Sequence, residues 1–321
     1  MNYIFKSILK DEFISFMKFI KLSVVDCKSY FYTLSGLDAF LDTEHLKEKK
    51  LDAQQTARWL DSFDVSLSTK KGKLSHIKRF SVYLSALGIP SSLPELPRKT
   101  AEFKPYVFST DEIAQIFEIA DDLILTNPKA RIKAEFPVLL RILYGCGLRL
   151  GEAATLTWDD INLNEGIITI KIAKNQKQRI VPMSGELSRI LNLYKKTSCF
   201  DVKDCRFLFI KNNGQCRSKV SYGNLFNNIL YELGIRNPQT IKKSSRGPCL
   251  HSLRHTFALH SLLKAKYEGR SFMETVPFLS TYLGHAGLME TDKYLKARYE
   301  LYTESHTVIA DFTRDVFPQE A

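Results

Sequence analysis

The sequence predicts a mainly α-helical chain with one small antiparallel β-hairpin, an α+β fold in two domains. Three observations predict it. Apolar residues recur at helical spacing along most of the 321 residues. One short stretch, residues 165–183, alternates with period two instead. A segment with four prolines and no apolar period, "GIPSSLPELPRKTAEFKP", divides the chain near residues 88–105.

Taken in order, Phe5, Ile8, Phe13, Phe16, Met17 and Ile20 form a first helical stripe. A second helix fits Val25 to Leu41, a third Ala53 to Phe63, and a fourth Ser68 to Leu87. The fourth carries Lys70, Lys71, Lys73, Lys78 and Arg79 among the apolar positions Leu74, Ile77, Phe80 and Leu84. These elements make a helical N-terminal domain, residues 1–88, followed by a linker, residues 89–105. Beyond it, Ser109 or Thr110 ahead of Asp111 and Glu112 opens a helix, with acids near the positive end of its dipole. Helices continue to about Trp158. In "EGIITIKIAKNQKQRIVPM", Ile168, Ile170 and Ile172 alternate, a basic turn follows, and "RIVPM" resumes as a strand. Helical patterning returns from Ser184, and residues 106–321 form the second domain. No internal repeat is present.

Composition narrows the class. The chain carries 46 Lys and Arg against 35 Asp and Glu, a formal net charge of +11. That balance suits a polyanionic partner, nucleic acid or a membrane surface. Lys6, Lys10, Asp11 and Glu12 interrupt the apolar N-terminus, and no run approaches the roughly twenty uncharged apolar residues of a membrane span. The six cysteines are scattered without a CxxC pair, as expected of a reduced, cytoplasmic chain without structural zinc.

Three stretches hold chemistry-bearing residues. In "YGCGLRLGEAATLTWDDI", Gly145 and Gly147 permit a sharp turn, and Arg149 heads a helix with Glu152 three residues on. An arginine beside helix N–H groups is placed to hold a phosphate, although for this stretch taken alone a surface Arg149–Glu152 pair is the better reading. In "HSLRHTFALH", His251 and Arg254 share a helix face, as do His251 and His255. The latter is metal-ligand spacing, but Ser252 stands where a zinc hydrolase needs glutamate. A histidine with an arginine grips phosphate more naturally. In "YLGHAGLMETDKYL", His285 precedes Tyr294 by nine residues. On one helix the two would face opposite ways, but Gly284 and Gly287 offer a break, so that His285 can precede a turn and Tyr294 lie on the next helix. Leu295, Tyr299 and Tyr302 form a core stripe that Tyr294 leaves.

Together these residues resemble the tyrosine recombinase, or phage integrase, family. "GLRLGE" is similar to its first-arginine motif and "HSLRHTFA" to its His-x-x-Arg motif. "LGH" with Tyr294 is similar to its nucleophile motif, and "IAKNQKQRIVPM" to the hairpin carrying its lysine, at Lys174. The blocks occur in family order, and the resemblance covers about residues 105–300. The N-terminal region is similar to the family's core-site DNA-binding domain in length and helical character alone. Arg254 and His285 are 31 residues apart, longer than in compact Xer-type resolvases. The intervening "AKYEGRSFMETVP" looks more like members carried by transposons and integrative elements.

The resemblance implies cleavage and rejoining of DNA through a 3′-phosphotyrosyl link made by Tyr294. Arg149 and Arg254 would clamp the phosphoryl oxygens and His285 would hydrogen-bond them. His251 would assist proton transfer, Lys174 would protonate the leaving 5′ oxygen, and Glu152 would order the site. It implies no cofactor and no metal, the arginines supplying the positive charge. The implied partner is double-stranded DNA bearing specific recombination sites. The protein would be a homotetramer on it, with related recombinases as alternative neighbours, nucleoid-associated and without a membrane role. Residues 1–105 hold 17 Lys and Arg against 12 Asp and Glu, and the remainder 29 against 23. Two basic parts suit a two-domain DNA clamp. Lys70, Lys71, Lys73, Lys78, Arg79, Lys177 and Arg179 are the expected DNA contacts. The C-terminal tail, with Val308, Ile309, Phe312 and Val316, forms an apolar helix face that docks on a neighbour or on its own domain. Competing readings are a type IB topoisomerase-like enzyme, a catalytically silent DNA-binding protein and a zinc hydrolase.

Overall fold

The computed structural model describes residues 3–23, 27–45, 47–97, 105–126, 130–171, 178–198, 206–211, 215–237 and 247–284. The chain divides into two compact units, Met1–Glu102 and Phe103–Ala321.

The first unit contains helices α1 (Lys10–Ser23), α2 (Lys28–Thr43), α3 (Ala53–Asp61) and α4 (Leu67–Ala86). Asp52 and Ser66 start α3 and α4 by accepting from the N–H groups of Gln54 and Thr69. Of the expected first stripe, Phe13, Phe16, Met17 and Ile20 are buried on α1, whereas Phe5, buried, and Ile8, partly buried, lie ahead of the helix. Phe13 stacks on Phe80 of α4 at 4.4 Å between ring centroids and on Phe5 at 5.3 Å. Asp38 of α2, fully buried, accepts from Tyr3 Oη and from the N–H groups of Lys6 and Ser7. It thereby ties the chain ahead of α1 to the core. The expected second helix begins three residues later than its apolar pattern suggests, with Cys27 as N-cap. The proline-rich segment starts as part of this unit: Ser92 N–H donates to Leu51 O, and Ile89, Leu93 and Leu96 pack on the core.

The second unit contains α5 (Thr110–Thr126), α6 (Arg131–Gly145) and α7 (Leu150–Ala154). A three-stranded antiparallel sheet follows, β1 (Ile161–Asn162), β2 (Ile167–Ile170) and β3 (Arg179–Pro182). Then come α8 (Gly185–Ser198), α9 (Lys219–Glu232), α10 (Leu250–Tyr267) and α11 (Phe272–Leu283). The α+β expectation holds, with β1 as a short third strand added to the hairpin. Ile168 and Ile170 face the core as their alternation requires; Ile172 lies outside the described residues. A 3-10 turn at Trp158–Asp160 ends the helical run. After it, residues 206–211 pair back across Thr157–Phe207, with Leu208 N–H donating to Leu156 O. The core gathers α5, α6, the sheet and α8 to α10, with Phe136, Phe209, Tyr222 and Phe226 fully buried.

Candidate active site

The site is built where α7 begins and α11 ends. Gly147 turns the chain with φ 60, and a Cβ there would lie 2.3 Å from the Phe257 ring of α10, so both backbone and space demand glycine. Arg149 follows as the N-cap of α7 in extended conformation. Glu152, three residues into α7, returns its carboxylate to Arg149, accepting from its N–H at 2.9 Å and its Nη1 at 3.0 Å. The pair is therefore a helix cap and an ion pair at once.

Arg254 comes from the first turns of α10. It is 1% exposed and donates through Nη1 to Gly147 O at 2.7 Å and through Nη2 to Leu283 O at 2.6 Å. At the other end of the site α11 stops at Gly284, whose φ of 66 forms a left-handed cap. The last carbonyls of a helix lack partners inside it. Here three consecutive ones each accept from a different arginine. Tyr282 O takes Arg179 Nε at 2.9 Å, Leu283 O takes Arg254, and Gly284 O takes Arg149 Nη2 at 3.1 Å. The negative end of the α11 dipole reinforces each contact.

Glu152 is the counter-ion. Burial opposes its ionisation, but the Arg179 guanidinium, the Arg149 N–H and the Arg149 guanidinium outweigh burial and hold the carboxyl below its usual range. Two guanidiniums thus meet one carboxylate, and a third, that of Arg254, is held at the same helix end by backbone carbonyls alone. The surplus positive charge makes the cluster a candidate anion site.

The other expected residues fall as follows. His251 is exposed and sets its ring edge-on to His255 at 4.6 Å, whereas Arg254, one turn along, is buried. The shared face read from their spacing is a boundary between buried and open arcs. Lys174, Lys177, His285, Tyr294 and the C-terminal tail lie outside the described residues. Of the four tyrosines near the nucleophile motif, Tyr282 is a packing residue: it stacks on Phe257 at 5.5 Å, and burial raises its hydroxyl well above the usual value. Tyr299 and Tyr302 are outside the described residues. Arg179, grouped with the DNA contacts by sequence, is turned inward: its side chain is 10% exposed and forks onto Glu152 at 2.8 and 3.1 Å. The signal for this was present. Val181 is buried, and period-two alternation puts Arg179 on the same face of β3.

In the first unit, Lys70 pairs with Asp61 at 2.7 Å, and Lys73 lies over the Phe63 and Trp59 rings at 4.4 and 5.3 Å. Arg79 donates to Tyr30 Oη at 2.9 Å. Lys71 is half-buried and Lys78 exposed on the same helix. Beside them His76 contacts Thr33 Oγ1 at 3.0 Å, and burial, then Lys73 and Arg79, lower its pKa. Among the described residues no group of three His, Cys, Asp or Glu side chains is arranged to hold a metal, and no helix is long and apolar enough to cross a membrane.

A site of clustered arginines on a helical domain with a small sheet defines a class, and comparison with known proteins gives its family. The model describing the phage integrase family matches residues 107–300. Tyrosine recombinase XerD of Listeria innocua is 27% identical over 303 residues, covering 89% of this chain and 93% of that protein. Tyrosine recombinase XerC of Chlorobaculum tepidum is 30% identical over 263 residues, covering 73% and 71%. The chain belongs to the phage integrase family and is a tyrosine recombinase. Solved structures share the fold. The Tn1549 transposon integrase, in complex with a circular intermediate DNA, superposes with a TM-score of 0.64 at 16% identity, covering 91% of this chain and 99% of that one. XerH site-specific recombinase bound to difH substrate gives 0.61 at 21% identity, covering 91% and 83%.

Proposed function

We propose that this recombinase cleaves and rejoins duplex DNA at specific sites through a 3′-phosphotyrosyl intermediate on Tyr294, in the integration, excision or transposition of a mobile element. One observation carries the reading. Arg149 and Arg254, from separate motifs, end on the carbonyls of Gly284 and Leu283, the two residues before His285. The two arginines and the start of the nucleophile motif therefore belong to one site. Relatives and fold neighbours named as recombinases and integrases, two of them in complexes with DNA, support the same reading.

In this reaction Tyr294 Oη attacks the phosphorus. The P–O bond to the tyrosine forms as the P–O5′ bond breaks, and the new ester conserves the energy for resealing. A phosphodiester is anionic and resists attack, so charge gathering on the non-bridging oxygens must be neutralised. Arg149 and Arg254 do this with fixed, permanently charged donors, and His285 adds a third. A tyrosine titrates near about 10, so its proton must be taken up as it attacks. His251, on the open arc of α10, accepts it or supports the approach, and Lys174 gives a proton to the departing 5′ oxygen. Both units are basic and contact the duplex, Lys71, Lys78 and Lys177 among the phosphate contacts, and four protomers assemble on paired sites.

Covalent trapping tests this. The protein is incubated, without added metal, with nicked duplexes drawn from the DNA flanking its own gene, and an SDS-resistant adduct is sought and mapped. The expected adduct is on Tyr294 and absent from Tyr294→Phe. An adduct that persists in that variant moves the nucleophile to Tyr299 or Tyr302. Tight, salt-sensitive binding with no adduct on any fragment favours a silent DNA-binding protein.

A further inference from the structure

We propose that Arg179 is a positioning residue: it locks Glu152 from the hairpin side and holds the end of α11, and so fixes where Arg149 presents its guanidinium. The inference rests on the recombinase reading for its consequence in cleavage, and on geometry alone for the lock.

Arg179 is the first residue of β3, paired across the sheet with Ile170. Its side chain uses three N–H directions on two partners. Nη1 and Nη2 fork onto the two oxygens of Glu152, and Nε donates to Tyr282 O. This bidentate geometry is the strongest and most directional that an arginine makes with a carboxylate. It also approaches the left-handed turn after α11, since a Cβ at Gly284 would meet its Nη1 at 3.1 Å. One side chain thus ties three segments: the α7 turn bearing Arg149, the last carbonyls of α11, and the start of β3.

The charge arrangement gives this tie a chemical consequence. Glu152 is shared by Arg149 and Arg179, and Arg179 has the forked share. Arg149 keeps a single side-chain bond to the carboxylate, at Nη1, and a single bond to Gly284 O, at Nη2. Without Arg179, Glu152 would be freed to take Arg149 in its own fork, and the guanidinium would be drawn from the position that meets phosphate. Arg179 faces the carboxylate and the helix end, so it acts through Glu152.

The test compares Arg179→Gln and Arg179→Lys with the unaltered full chain, measuring single-turnover cleavage of a nicked duplex, DNA affinity and the titration of the Glu152 carboxyl by carbon-13 NMR. Arg179→Gln is expected to slow cleavage about a hundredfold, the scale of an ångström-sized misplacement, with DNA affinity unchanged. Arg179→Lys is expected to recover part of the rate, keeping the charge and losing the fork. The Glu152 titration is expected to move upward in Arg179→Gln. Adding Glu152→Gln is expected to cost much in the unaltered chain and little in Arg179→Gln, because the two act as one unit. Independent, multiplying losses overturn the proposal, as does an Arg179→Gln chain that cleaves normally but binds DNA weakly, which makes Arg179 a DNA contact. If the unaltered chain cleaves nothing, the recombinase reading is what fails. The carboxyl titration needs no DNA and still decides the lock, and an unchanged Glu152 overturns it.

Discussion

The second unit buries two glutamates against arginines, and the two clusters are built to different charge balances. Glu135 of α6 is wholly buried. It accepts from Ile210 N–H at 3.0 Å, Arg217 Nε at 2.6 Å and Tyr222 Oη at 2.9 Å, while Arg217 Nη2 returns to Ile210 O at 2.7 Å. One guanidinium meets one carboxylate, and no formal charge is left over. Burial raises this carboxyl, against the pull of Arg217, Tyr222 and the Ile210 N–H. Glu152 meets two guanidiniums, and its carboxyl is held low. Arg149 also stays 21% exposed. A balanced buried pair clasps the fold together; an unbalanced one leaves a cation facing outward, as an anion site needs.

The sharpest way to break this contrast is Glu135→Ala. Removing one partner strands Arg217 and leaves Tyr222 and Ile210 N–H without their acceptor, at a cost of about 3–5 kcal/mol. Urea unfolding would show it as a lowered midpoint with little change in slope. Glu135→Leu combined with Arg217→Met should cost far less, because no charge is then stranded. A single variant as stable as the unaltered chain would show that the cluster is no clasp.

A half-buried imidazole in the same unit sharpens the comparison from the side of neutrality. His260 of α10 contacts Tyr144 Oη at 3.1 Å through Nδ1, and burial pushes its pKa down to about 4. An imidazole whose folded value lies below its unfolded one takes its proton first in the unfolded chain. The stability it permits is whole above pH about 6.5 and drains as pH falls toward about 4, by up to about 3 kcal/mol. Stability measured across that window should show the slope in the unaltered chain and lose it in His260→Gln. An equal slope in both would assign it to other groups.

The legible parts of the site were those written locally. Gly147, Arg149 and Glu152 lie within six positions of one another, and a helix start with a cap three residues on is a short-range pattern. Arg254 could be placed on α10, but the side on which it is buried depends on Gly147 and Leu283, brought from 107 and 29 residues away. Arg179 was misleading for the same reason. In sequence it opens the strand after a basic turn, while its partners Glu152 and Tyr282 are 27 and 103 residues away. Fold class survived because periodicity is local, and helix ends shifted by a few residues because caps such as Cys27 carry no strong signal.

The smallest effect tests the other half of the comparison. Glu152→Gln keeps an acceptor of the same shape for the Arg149 N–H, so the α7 cap survives, and the lost ionic share should cost only about 1–2 kcal/mol at neutral pH. Because the folded carboxyl titrates below its unfolded value of about 4.3, its contribution is complete above that pH and is lost as pH falls through the folded value. The variant should therefore be slightly weaker at neutral pH and less sensitive to acid below pH about 4. Its cleavage rate should fall by far more than its stability does, since two arginines would face one another with no carboxylate between them. A variant as destabilised as Glu135→Ala, with cleavage falling only in proportion, would make Glu152 a second clasp and erase the distinction.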